Sequence, residues 1–143
     1  MKKLLLLSVF ALITSALLAQ DYKGLGDQKI QIGFNFYGYG SGIKATYDYG
    51  LNDRFSVGLG ANFFNTGNYT SGFFIFGRGD YHLGHILDAP DELDLYLGAE
   101  LGLIGNRFFG ISGHFGAQYH LTKNLGVFVE IGSNGALGIS IHL

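Results

Sequence analysis

From about residue 28 onward, apolar and polar residues alternate almost one by one, and the alternation keeps its phase through most of the chain. Side chains on a strand change faces at every residue, whereas a helix repeats about every 3.6, so the pattern calls for strands. The first runs over about 28–38, with Ile30, Ile32, Phe34 and Phe36 on one face and Lys29, Gln31, Gly33, Asn35 and Tyr37 on the other. The second (about 42–51) sets Ile43, Ala45, Tyr47 and Tyr49 against Lys44, Thr46, Asp48 and Gly50. The third (about 53–64) sets Phe55, Val57, Leu59, Ala61 and Phe63 against Arg54, Ser56, Gly58, Gly60 and Asn62. Runs over about 93–104, 107–121, 125–131 and 136–143 repeat the arrangement, with Glu100, His114, Gln118, His120, Glu130 and His142 on the polar side. The fourth strand, about 69–83, is less regular. Tyr69, Phe73, Ile75 and Tyr81 oppose Arg78, Asp80 and His82, but Phe73-Phe74-Ile75-Phe76 is apolar on both faces, which predicts either a bulge or an aromatic plug.

Eight strands of roughly ten residues suit a closed barrel, which leaves no unpaired sheet edge. The 24 Gly would also fit a disordered chain, but disorder goes with few aromatics, and here 13 Phe and 9 Tyr are interleaved with the Gly. Alternation alone does not say which face is concave. A soluble barrel of the lipocalin kind lines its interior with the apolar face, and a membrane barrel reverses this. Four features favour the membrane form. The polar face is rich in Gly, which fits a lumen just wide enough for side chains. Its charges are nearly balanced, as enclosed charges require: Lys29, Lys44, Arg54 and Arg78 against Asp48, Asp80, Asp94, Glu100 and Glu130. Aromatics on the apolar face gather at the two rims as interface girdles, Tyr47, Tyr49, Tyr81 and Tyr119 at one, Phe36, Phe63, Tyr69 and Phe109 at the other.

The fourth feature is an export route. Lys2 and Lys3, then an apolar core at 4–18, then the small Ala19, have the form of a secretory signal peptide. The core is short for a retained membrane helix. The expected organisation is a signal peptide at 1–19 and a barrel domain at 20–143. Without Lys2 and Lys3 the chain carries seven basic and eleven acidic residues, a net charge of −4, so nothing points to nucleic acid. No cysteine is present, which excludes a disulfide scaffold or a lipid-anchored cysteine.

The Tyr-x-Leu stretches at 49–51, 81–83 and 119–121, with the terminal GALGISIHL at 135–143, resemble the small outer-membrane β-barrel domain proteins of Gram-negative bacteria, in particular those of Bacteroidetes. The resemblance implies an outer-membrane location, contact with outer-membrane lipid, and recognition of the last strand by the barrel assembly machinery. It departs at the end, where Leu143 stands in place of a terminal aromatic. The expected fold is therefore all-β, an eight-stranded antiparallel up-and-down transmembrane β-barrel after a cleaved N-terminal signal peptide.

Candidate sites are few. His82, His120 and His142, with Asp48, lie on the polar face near one rim and form the residue set for a transition metal. No HxH or HExxH spacing fixes two ligands together, and alternate strands stand apart across a barrel, so the expectation is hydrogen-bonding lumen residues, with no metal and no cofactor. Lys29, Lys44, Asp48, Arg54, Arg78, Asp80, Glu100 and Glu130 are expected to fill the lumen as ion pairs, the competing reading being a gated ion path. No GxSxG or comparable motif points to catalysis. GYGSG at 38–42 reads as a hairpin turn, and the acidic, proline-bearing 84–94 as a longer periplasmic turn. YGLNDRFSV (49–57) and YHLTKNLGV (119–127) match in pattern and are expected to be equivalent periplasmic turns. The expected role is a structural or surface-interaction barrel, with a narrow pore or a lipocalin-like ligand binder as the alternative; any periplasmic or surface protein partner is not specified by the sequence.

Overall fold

The computed structural model describes residues 22–67, 71–105 and 108–143; the expected signal peptide lies outside them, as does Tyr69. Eight antiparallel strands follow in order: β1 (Gln28–Tyr37), β2 (Ser41–Gly50), β3 (Phe55–Asn65), β4 (Ser71–His82), β5 (Leu93–Ile104), β6 (Phe108–His120), β7 (Leu125–Gly132) and β8 (Gly135–His142). Each pairs with its sequence neighbours, and β1 pairs with β8 to close the barrel. A four-residue helix, α1 (Gly84–Leu87), interrupts the connection between β4 and β5.

The apolar face is outside. Ile43, Phe63 and Leu59 are 61, 61 and 70% exposed, while Gln31, Gln118 and Glu100 are almost completely enclosed. This reverses the lipocalin-like arrangement, in which the apolar face would line the interior. A surface ringed by Leu, Ile, Val and Phe is unfavourable in water and favourable in lipid, and closure pairs the backbone groups that lipid cannot hydrogen-bond. The girdle residues Phe36, Tyr47, Tyr49, Phe63, Phe109 and Tyr119 are exposed on this outer wall, and Tyr81 is half-buried on it.

The two matched stretches form the same turn. Leu51 and Asn52 donate backbone N–H groups to the Phe55 carbonyl, as Leu121 and Thr122 do to that of Leu125. Asn52 Oδ1 accepts from the N–H of Arg54 and Phe55 at 2.9 and 3.0 Å; Thr122 Oγ1 plays that part toward Asn124 and Leu125 at 3.4 and 3.1 Å. This turn corrects one expectation. Arg54 belongs to it and is exposed, so it is not in the lumen. The Asn52 cap lifts the chain out of the pleat, and the parity of β3 starts only at Phe55.

Candidate functional site: the filled lumen

Inward residues stack in levels because the register is regular. At mid-height, Arg78 on β4 faces Glu100 on β5, and its guanidinium gathers carboxylates from three strands. Nη2 lies 2.7 Å from Asp80 Oδ2 and 2.9 Å from Glu130 Oε1, and Nε lies 3.3 Å from Asp48 Oδ1. Lys44 Nζ bonds both Glu100 and Glu130. His114 Nε2 adds a contact to Asp80 Oδ1 at 2.8 Å. Lys29 lies 3.8 Å from Asp48 and 4.8 Å above the Tyr96 ring. Seven of the eight predicted lumen charges (Lys29, Lys44, Asp48, Arg78, Asp80, Glu100 and Glu130) thus meet in one buried network. A lone charge here would be costly, and the fork of Arg78 answers this by serving several carboxylates at once.

Glycines make room for these long side chains. A Cβ at Gly98 would lie 2.6 Å from His114 Nε2, closer still to Asp80, and one at Gly116 would lie 2.2 Å from the Tyr96 ring. The small residues expected of a narrow lumen are therefore specific complements to single neighbours.

Toward the rim with the short hairpins, the filling turns aromatic. Phe64, Phe74 and Phe76 form a buried cluster, with Tyr39 and Ile104 packed on it. The β3–β4 register runs without a shift, so the double-faced Phe73–Phe76 stretch is a plug and not a bulge. Tyr39, from the 38–40 turn, leans back over the plug and is held by Asn134 Oδ1 at its N–H and by the Ile111 carbonyl at its hydroxyl. Gly38 and Gly40 at φ 108 and 159° permit that reversal.

The opposite rim carries both described chain ends. Tyr22 stacks flat on His82, with ring centroids 3.6 Å apart, and its hydroxyl donates to the Asn52 and Phe55 carbonyls. Burial, with Asp27 and Asp94 nearby, pushes the Tyr22 pKa up, so it stays a donor at any ordinary pH. His82 is held in turn by Asp94 and Ser56. Asp27 accepts from His142 Nδ1 at 3.1 Å. Burial raises the Asp27 carboxyl, but the bond and charge of His142, with Lys29 and Lys23, outweigh it and leave its pKa below the usual value. Segment 22–27 also pairs with β2, through Gly26 N–H to Gly50 O and Gly50 N–H to Asp27 O. His120 and His142 meet each other, whereas His82 and Asp48 take other partners, so the four-residue rim constellation is not one group.

Sequence reasoning missed this strap, the inward role of Phe64 and the contact between His120 and His142. Tyr96 and Phe128 fall on the polar phase of their strands and are buried, and an aromatic ring in that phase is the sign that rings help fill the lumen.

No family model matches the sequence, and no curated protein matches it. In shape the chain is similar to a solved chain from de novo design of transmembrane β-barrels, with a TM-score of 0.69 and 17% identity over 87% of this chain and 100% of the other. It is also similar to the N-terminal β-barrel domain of Pseudomonas aeruginosa OprF, with a TM-score of 0.57 and 17% identity over 85% of this chain and 100% of that domain. The likeness concerns the fold: a closed eight-stranded transmembrane barrel.

Proposed function

We propose that this chain is a small integral outer-membrane barrel of the Bacteroidetes type, with a structural or surface-interaction role and no open channel. The carrying observation is the lumen, filled at mid-height by the Arg78 network and above it by the Phe64–Phe74–Phe76 plug. In this reading residues 1–19 direct export and are removed, the turns at 51–54, 83–92 and 121–124 face the periplasm, and the four short hairpins face outward. Such short loops present little surface, which suits reinforcement of the membrane or a small contact, not a large adhesive site. We assign no catalytic role: the charged groups at mid-height pair with one another.

Mature protein from an outer-membrane fraction should migrate faster on a gel before boiling than after, and should be silent in a planar bilayer. Steps of defined unit conductance would overturn the closed-lumen reading and favour a narrow pore. Protein that stays soluble without detergent would overturn the membrane reading itself.

A further inference from the structure

We propose that His120 and His142, with Gln118, form a binding site for a divalent transition cation of the imidazole-preferring class at the strap-covered end of the lumen. The two histidines lie on β6 and β8, with β7 between them. The β7 residue opposite His120 is Gly126, so β7 places no side chain beside His120 at that level. Their ring centroids are 4.7 Å apart, and Nε2 faces Nε2 at 3.0 Å.

The other ring nitrogens fix what those facing atoms are. His142 Nδ1 lies 3.1 Å from Asp27 Oδ1, and His120 Nδ1 lies 3.3 Å from the Glu92 carbonyl. Both partners are acceptors, so when the rings are neutral each Nδ1 carries the proton and each Nε2 directs a lone pair toward the other. An imidazole held at Nδ1 by a carboxylate or carbonyl is the usual support of a metal-bound histidine. The Gln118 amide completes a triangle, its terminal nitrogen 3.0 Å from His120 Nε2 and 2.8 Å from His142 Nε2. With no ion, its NH2 group donates into both lone pairs. A half-turn of the amide, which gives up the bond its oxygen accepts from Gln31 Nε2 at 3.2 Å, presents oxygen instead, a third ligand. Ligands at about 2.1 Å from one ion and at right angles to each other stand about 3.0 Å apart, which the triangle matches. Among the described residues no three His, Cys, Asp or Glu side chains form a metal-holding set, so the assignment rests on two imidazoles and an amide.

Charge favours a cation here. Asp27 and Asp94 are buried at this end, and the nearest buried cation, Lys29, is shared with Asp48, which also pairs with Arg78. Two neutral imidazoles with an amide oxygen suit Cu²⁺, Ni²⁺ or Zn²⁺ better than Mg²⁺ or Ca²⁺, which prefer all-oxygen shells.

The test uses untagged mature protein in detergent, titrated with Cu²⁺. The expected result is saturable one-to-one binding, with nitrogen hyperfine splitting from two imidazoles in the electron paramagnetic resonance spectrum. His120→Gln and His142→Gln should each weaken binding about tenfold or more, and Asp27→Asn, which weakens the support of His142 and removes one negative charge, about tenfold. Absence of saturable binding, a spectrum without imidazole nitrogen, or a His120→Gln/His142→Gln double variant that binds like the parent would each overturn the proposal. If a variant loses its heat-modifiable migration, the spectrum of the parent protein decides alone.

Discussion

Arg78 and Phe74 are two inward positions apart on β4, yet the parts of the lumen they hold are built on opposite chemistries. Around Arg78, guanidinium, ammonium and imidazole groups are matched to carboxylates from several strands. Around Phe74, three rings and the returning Tyr39 fill space by shape. In the first region, the cost of a change is set by which partner is left alone. In the second, it is set by the volume left empty. A narrow lumen can be closed either way, and this one uses both in series.

The largest effect should come from breaking the ionic side. Arg78→Met keeps most of the volume but removes the guanidinium shared by Asp48, Asp80 and Glu130, and should lower stability by about 3–5 kcal/mol in urea titrations read by gel migration. A loss under about 1 kcal/mol would mean that water or protonation already relieves those carboxylates. Next is Phe74→Ala, expected to cost about 3 kcal/mol through a cavity in the plug. Its bilayer recordings should stay silent, because the Arg78 level remains closed. New conductance would show that the rings alone form the seal.

A pair of glycine changes separates inner from outer demands. Gly98→Ala pushes a methyl against Asp80 and His114 and should cost about 1–3 kcal/mol. Gly79→Ala, on the outer wall with nothing nearer than 4.0 Å to the new methyl, should stay within about 0.5 kcal/mol. Equal effects would contradict the close fit inside. The smallest effect concerns acid. The pKa of Asp27 is lowered on folding, so its contribution is complete above the unfolded value of about 3.9 and is lost as pH falls through the lower folded value. Hydrogen exchange at Gly26 and Gly50, whose amides tie the strap to β2, should therefore quicken only below about pH 4. Protection that persists unchanged to about pH 2 would remove Asp27 as the latch.

The barrel was legible because period two is a local property. Each of Lys29, Lys44, Asp48, Arg78, Asp80, Glu100 and Glu130 could be sorted to the inner face from its immediate neighbours. Parity failed where local rules change. At Arg54 an asparagine cap replaces the pleat, and at Phe74 and Phe76 apolar side chains occupy the polar phase. The meeting of His120 and His142 was hidden for another reason. It depends on β6 and β8 leaning their side chains together across β7, and spacing along the chain carries no trace of that. The strap at 22–27 likewise gains its meaning from β2, β4 and β8, the last of which it meets only once the barrel has closed.

That circle is fastened at one seam. Every other strand pair joins sequence neighbours, but β1 must wait for β8, and Leu143 donates its backbone N–H to Gln28 O just beyond the paired strands. A chain cut short before residue 135 therefore does not lose one-eighth of its wall. It exposes two ladders of unmatched amides and carbonyls to hydrocarbon at once, which a membrane tolerates poorly. Completeness is thereby an all-or-none property of this molecule: the final eight-residue strand inspects the whole, and an unfinished copy is marked for aggregation or removal by its own open edges.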